Sequence, residues 1–301
     1  MLLDSKKVGA LLRCFALESR LVDNAVALAL ASIERMLSVS VQGRQFVSRV
    51  LILVPMDEAY TQKDCGETAG KLREAIKARG WNKSVLVHEV RHGGDMFVGI
   101  LNYGMVKLLR SGCDYGIVLS KEAEAYFTSE AAEDLVSAVE AGAKVAGLAI
   151  TELTESVMQG RITNTFAMWD LEALGQAGNF DFRNAAPRKE AQIKSVAEAW
   201  DSGKNFYTYN NAGVEEIIPL IQLVRMFGSC IAPILPRGGG VRIWKVPDRN
   251  VDPDGHLRHV NKLGTKFVRQ SYFAVLLGID PEMSFLKGGI IPAYRHPDYF
   301  N

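Results

Sequence analysis

Carboxylates recur in this sequence just beyond runs of apolar residues. The run Tyr115–Leu119 leads into Ser120-Lys121-Glu122-Ala123-Glu124, and the run Ser48–Pro55 leads into Met56-Asp57-Glu58. A third pair, Glu215-Glu216, stands just ahead of the apolar stretch Ile217–Val224. Acidic side chains at a strand exit can hold a metal on a phosphate. A glutamate at a helix start can act as a base toward a hydroxyl, or it can simply offset the positive end of the helix. Arg13 and Arg91 also follow apolar runs, and Lys121 sits inside the acidic turn. A protein cation can replace part of a metal's charge beside a phosphate.

The elements that must position these groups are legible from periodicity. Lys6–Phe15, Ser48–Pro55, Ser84–Val90, Tyr115–Leu119 and Lys144–Ile150 are short apolar runs, as expected of strands covered on both faces. Ser19–Leu37 is apolar at Val22, Val26, Ala29, Leu30, Ile33 and Leu37, which is helical spacing. Further helices are expected over Glu67–Arg79, over Met96–Ser111, and from an N-cap at Ser129 to Gly142. Five strand–helix alternations predict a mostly parallel sheet with helices on both faces, an α/β fold. Beyond it, Arg161–Asp181 reads as a strand and a short helix, and Asn184–Asn211 as polar and mostly helical. Gly213–Gly228 reads as a helix with Pro219 in its first turn, where proline is tolerated. Ser229–Pro236 reads as a strand, and Leu257–Leu277 as a basic amphipathic helix.

The chain has 301 residues, 48% hydrophobic and 23% charged, which is ample for one large domain. A net charge of +1 without a long basic run gives no nucleic-acid footprint. Cys14, Cys65, Cys113 and Cys230 form no CxxC pair, so they read as buried reduced thiols and not as a zinc site. No leader pattern and no apolar span long enough for a bilayer is seen, so a cytoplasmic protein is expected. The Gly-rich dinucleotide fingerprint, the P-loop, the G-x-S-x-G elbow and H-E-x-x-H are all absent. In an open parallel sheet, ligands bind beyond the carboxyl ends of the strands. The mixed polar residues there, with helix N-termini pointing at them, suit a phosphorylated ligand.

Taken in order, the segments "VGALLRCFALE", "PMDE", "HGGDMFVGILNYGM", "DYGIVLSKEAEAYF", "NTFAMWDLEALGQAGNFD" and "GVEEIIPLIQLVRMFGSCIAPILP" resemble the glycosyltransferase A fold. They are closest to its family-2 group of inverting enzymes, and the resemblance covers Val8–Pro236. It implies a Rossmann-like nucleotide-diphospho-sugar transferase. Arg13, Asp57, Glu58, Asn102, Ser120, Lys121 and Glu122 would face the donor nucleotide. Trp169 and Asp181 would face the acceptor, and Glu215 or Glu216 would be the catalytic base. Mg2+ or Mn2+ would be held by Glu122, Glu124 and His256. The partners implied are a nucleotide-diphosphate sugar and a glycan, lipid or small-molecule acceptor.

The sequence departs from that pattern where it matters chemically. The family's Asp-x-Asp reads Ser120-Lys121-Glu122, its Glu-Asp base pair reads Glu215-Glu216, and its Gly-Gly-Phe-Asp reads Gly178-Asn179-Phe180-Asp181. A binding or scaffold protein that has lost catalysis is therefore the alternative. A nucleotidyltransferase is disfavoured, because "RCFALESR" after the first strand has no glycine. The organisation expected is a transferase domain over 1–236 and a C-terminal loop and helical extension over 237–301. The basic stretch Lys262–Arg269 is the candidate for peripheral contact with anionic lipid.

Overall fold

The computed structural model describes residues 5–16, 18–56, 66–91, 98–149, 162–180, 216–234, 248–257, 278–279 and 284–294. Its centre is a sheet whose strands alternate between two apolar layers. In β1 (Val8–Arg13), Val8, Ala10 and Leu12 enter one layer and Leu11 the other. β4 (Val47–Pro55) and β6 (Tyr115–Leu119) alternate in the same way. Side chains burying on both faces is why these strands read as unbroken apolar runs.

The remaining strands of the sheet are β5 (Val85–Val90), β7 (Val145–Ala149), β8 (Ile162–Asp170) and β9 (Ile231–Ile234), in the order β5-β4-β1-β6-β8-β7-β9. All neighbours are parallel except around β8, which runs antiparallel to both β6 and β7. Ala149 at the end of β7 pairs with Ile162 at the start of β8. The architecture is thus a mostly parallel α/β sheet with helices on both faces, as the alternation predicted. The one reversed strand was not foreseen.

Helices α1 (Val22–Ser38), α2 (Glu67–Ala78) and α4 (Ser129–Glu140) cover one face. The other face carries α3 (Val98–Arg110), α5 (Leu171–Gln176), α6 (Ile217–Phe227) and α7 (Ser284–Gly288). α3 lies close to β1 and β6 because glycines leave it room. A Cβ on Gly9 would sit 2.7 Å from a Leu108 methyl, and one on Gly116 would sit 2.6 Å from Met105 Sδ. From the helix side, a Cβ on Gly104 would run into the methyls of Leu11. Within the 237–301 stretch, Leu286 is fully buried, and the carbonyl of Gly289 accepts from Cys230 N at 2.8 Å and Ile231 N at 2.9 Å.

Several local expectations change. The cap of α4 is Thr128, whose Oγ1 accepts from Ala131 N at 3.3 Å; Ser129 is already helical. A small hairpin, β2 (Ser40–Val41) and β3 (Arg44–Gln45), turns through Gln42 and Gly43 at φ 52° and 76° and was not anticipated. Lys121–Tyr126, read as part of an acidic turn, is a 3-10 helix. Pro219 is the third residue of α6, inside the first turn as expected. The helices expected over 184–211 and 258–277, including Lys262–Arg269, lie outside the described residues. Cys14, Cys113 and Cys230 are buried and free, and burial pushes the Cys230 thiol up to about 12. Among the described residues no helix is long and apolar enough to cross a membrane.

The amino end of the sheet is tied by Asp114. Its carboxylate accepts from Lys7 N at 2.8 Å and from Lys6 Nζ at 2.9 Å. Partial desolvation works against the charged form, but these bonds outweigh it and hold the carboxyl below its usual range. A carboxyl whose folded value is depressed adds stability above its unfolded value, near 3.9, and loses it as pH falls through the folded value. Asp114→Asn is therefore expected to melt below wild type at neutral pH, with the gap closing below about pH 4 in a melting series against pH. A second expectation concerns Gly147 on β7, where a Cβ would lie 2.7 Å from the Phe166 carbonyl oxygen. Backbone cannot yield as a side-chain tip can, so Gly147→Ala should cost about 1–3 kcal/mol by calorimetry. Gly175→Ala, in α5 with no atom within 4 Å of the added carbon, should gain about 0.4–1 kcal/mol.

Candidate functional site

From β1 the main sheet grows through β4 to β5 on one side; the chain then returns to place β6 on the other side of β1. Such a reversal splits the loops apart and opens a crevice beyond the carboxyl ends of the two central strands. The last paired rung between them is Leu11 with Val118. Arg13 and Ser120 each lie two residues further along. By strand alternation both belong to the face of Leu11 and Val118, which is the face of α3, α5 and α6.

Arg13 is exposed, with its guanidinium carbon 5.2 Å from the centroid of the Phe15 ring. Ser120 is extended (φ −87°, ψ 158°), and its carbonyl accepts from Ala123 N at 3.0 Å to start the 3-10 helix. Its hydroxyl oxygen is buried and has no hydrogen-bond partner among the described residues. An unpaired buried hydroxyl costs about 1–3 kcal/mol and calls for a reason. A cation and an orphaned hydroxyl together at a topological switch point suit a phosphate oxygen.

Glu124 does not belong to this constellation. Its Oε1 accepts from Ser32 Oγ on α1, while Arg35 Nη1 donates to its carbonyl at 2.7 Å. Ser32 and Arg35, which clamp the 3-10 helix, were not singled out from the sequence. Their one signal was spacing: Ser32 and Arg35 stand three residues apart, on one side of the helix. One oxygen of the carboxylate read as a metal ligand is thus engaged by α1. His256 is half-buried in helical backbone, its N–H donating to Asp252 O at 2.9 Å. Among the described residues no three His, Cys, Asp or Glu side chains are grouped to hold a metal. The side chains of Lys121 and Glu122 lie outside what is described, as do Asp57, Glu58, Asp181 and Glu215.

Two more readings change. Asn102, on α3, accepts through Oδ1 from Phe180 N at 2.9 Å. It joins α3 to the turn after α5, so its oxygen is held by main chain and not offered to a donor nucleotide. Trp169 has no exposed surface and meets the Phe180 ring edge-on, with centroids 5.0 Å apart at 81°. A ring with no exposed surface cannot wall an acceptor, so Trp169 is a core residue.

Glu216 stands at the N-terminal boundary of α6 and is fully buried, and its carbonyl accepts from Leu220 N at 3.1 Å. The first turns of the helix behind it are buried: Ile217, Ile218, Leu220, Ile221 and Leu223 have no exposed surface. Glu216 thus sits on the same face of the sheet as Arg13 and Ser120, at the positive end of a helix.

No protein-family model matches this chain, and no curated protein matches it. Among solved structures it is similar to the mannosyltransferase PcManGT from Pyrobaculum calidifontis, solved with GDP-Man and Mn2+, at 11% identity and TM-score 0.37, over 90% of this chain and 86% of that one. It is similar to 4-diphosphocytidyl-2C-methyl-D-erythritol synthase from Anaerococcus prevotii at 10% identity and TM-score 0.38, over 85% and 97%. A cytidylyltransferase from Leptospira borgpetersenii gives 10% identity and TM-score 0.38, over 94% and 97%. At these scores the likenesses carry no argument; fold and site rest on the strand order and residues above.

If Glu124 serves α1 and not a metal, Glu124→Ala should lower stability by about 1–3 kcal/mol through loss of a buried partner. Any change in melting temperature produced by Mn2+ should be the same in wild type and variant.

Proposed function

We propose that this chain is a transferase that binds a nucleoside-diphosphate sugar at the carboxyl edge between β1 and β6 and passes the sugar, with inversion, to an acceptor hydroxyl. The observation that supports this reading is that Arg13 and the Ser120 hydroxyl, which is buried with no partner among the described residues, lie at the same level past the last β1–β6 rung, at the switch point. Arg13 offsets the diphosphate charge, and Ser120 Oγ donates to a phosphate oxygen. Asp57 or Glu58 holds the base or ribose. Glu215 or Glu216 takes the acceptor proton as the acceptor oxygen bonds to the anomeric carbon in line. The bond from that carbon to the diphosphate oxygen breaks, and the nucleoside diphosphate leaves. Asp181 is the residue proposed to meet the acceptor, which is a glycan, lipid or small molecule. Glu122 is the one acidic position left of the altered motif; no step is routed through an ion there. The protein is proposed to work in the cytoplasm, with Lys262–Arg269 as its contact for anionic lipid.

A second reading is a binding protein on the same fold. It is favoured by the Ser-Lys-Glu sequence in place of Asp-x-Asp, and by the engagement of Glu124 with Ser32.

Thermal stabilisation separates the two. UDP, GDP, CDP and dTDP are each added with Mn2+, Mg2+ or EDTA. One nucleotide is expected to raise the melting temperature, since a ligand at a hundredfold excess over Kd adds about 2.7 kcal/mol. Arg13→Ala should weaken that rise. Ser120→Ala should raise the melting point of the free protein by removing an unpaired hydroxyl, yet reduce the rise with nucleotide. A shift that survives EDTA assigns the charge neutralisation to the protein. No shift with any nucleotide supports the binding-protein reading.

A further inference from the structure

A second concavity lies away from the switch point. It is a half-open pocket of about 220 Å³ on the face of β4 and β5 beside the C-terminal turn of α3. Leu51, Leu86 and Leu108 form its floor, and His88, Lys107 and Arg110 stand around it among the described residues. Its place in the fold explains why it stays open. β5 is the edge of the sheet, and α3 packs over β1 and β6, leaving the outer strand partly bare. Leu86 and His88, which face this side, are accordingly only half-buried.

Lys107, Tyr103 and His88 form a connected row along one wall, and Arg110 stands exposed at the rim. Lys107 Nζ lies 5.5 Å from the centroid of the Tyr103 ring, and the Tyr103 hydroxyl is 3.1 Å from His88 Nδ1. No ion pair of Lys107 or Arg110 with a carboxylate occurs among the described residues. Carbonyls at the C-terminal end of α3 and just past it, which would repel an anion, already accept hydrogen bonds. Lys107 O and Leu108 O accept from Ser111 N, Leu109 O from Gly112 N, and Ser111 O from Arg49 Nη1 at 2.9 Å. Basic residues at a helix C-terminus have an ordinary role in offsetting its dipole. That role does not require three leucines and a cavity beside them. Burial first, then the charges of Lys107 and Arg73, holds His88 below its ordinary value, so near neutral pH its ring is uncharged and adds a hydrogen bond without adding charge.

We propose that this pocket binds a small amphipathic anion, a carboxylate or phosphate monoester on an apolar body about the size of a medium acyl chain. The apolar body lies on Leu51, Leu86 and Leu108, and the head group meets Lys107 and Arg110. The site is independent of the nucleotide crevice: Arg49, which is tied to Ser111 at the pocket, lies on the rung with Gly9 near the amino ends of the strands.

The test uses the full chain with octanoate, octyl phosphate, octan-1-ol and octylamine, followed by the NMR signals of the His88 ring and assigned through His88→Gln. Octanoate or octyl phosphate is expected to shift these signals saturably with a Kd on the order of 1 mM or tighter, as suits a ligand of about ten heavy atoms. The tighter of the two identifies the head group. Octan-1-ol and octylamine should bind about tenfold more weakly or worse. The Lys107→Gln, Arg110→Gln double variant should lose about tenfold in affinity for the anion with an unchanged melting temperature. Binding of the alcohol as tight as that of the anions overturns the proposal. So does unchanged affinity in the double variant, or a linear, unsaturated response of wild type to both anions.

Discussion

Helix α3 can lie where it does only because side chains are missing beneath it. Gly9 and Gly116 on the strands and Gly104 on the helix let Leu108, Met105 and Leu11 fill space that a Cβ would occupy. Close packing of this kind is stiff, since a core at crystal-like density has no room to absorb a shift. Much of the rest is hung from it. Asn102 projects from the same helix to hold the turn at Phe180, and Phe180 in turn packs edge-on to Trp169. The carboxyl ends of β1 and β6 are thereby set against a rigid layer, which is what a crevice needs if its groups are to be in place before a ligand arrives.

The buried polar groups on this side differ in meaning. Among the described residues the Trp169 indole N–H and the Ser120 hydroxyl are both buried without a partner. Trp169 lies within the core, with no exposed surface. Ser120 stands at the exit of a central strand, at the same level past the last β1–β6 rung as the exposed Arg13. Location in the topology, and not burial alone, separates the two.

The main elements were legible in the sequence because periodicity and continuous apolar runs report burial directly. Direction was not: an apolar strand reads alike either way, so the reversal of β8 left no mark. The hairpin at Ser40–Gln45 was too short to show a period. Thr128 and Ser129 are both good caps, and only geometry chose Thr128. At the site, strand ends pointed to Arg13 and Ser120. What the sequence could not disclose was commitment over long separations. Glu124 meets Ser32, Asn102 meets Phe180, and Trp169 is sealed in the core, each through contacts distant in the chain. Residue type suggested ligands, and packing had already assigned these three elsewhere.

The reversed strand has a consequence for how such a protein can diversify. Because β8 runs antiparallel to β7, the connection between them leaves and re-enters the sheet at one place, where Ala149 pairs with Ile162. That place is the carboxyl edge, on the side of β6 and Ser120. When both ends of a connection are already pinned, its length scarcely matters energetically; doubling a flexible loop costs only about 0.6 kcal/mol. The chain can therefore acquire or shed residues beside the crevice while the sheet keeps its register, so selection has a place to alter what is recognised without renegotiating how the protein folds.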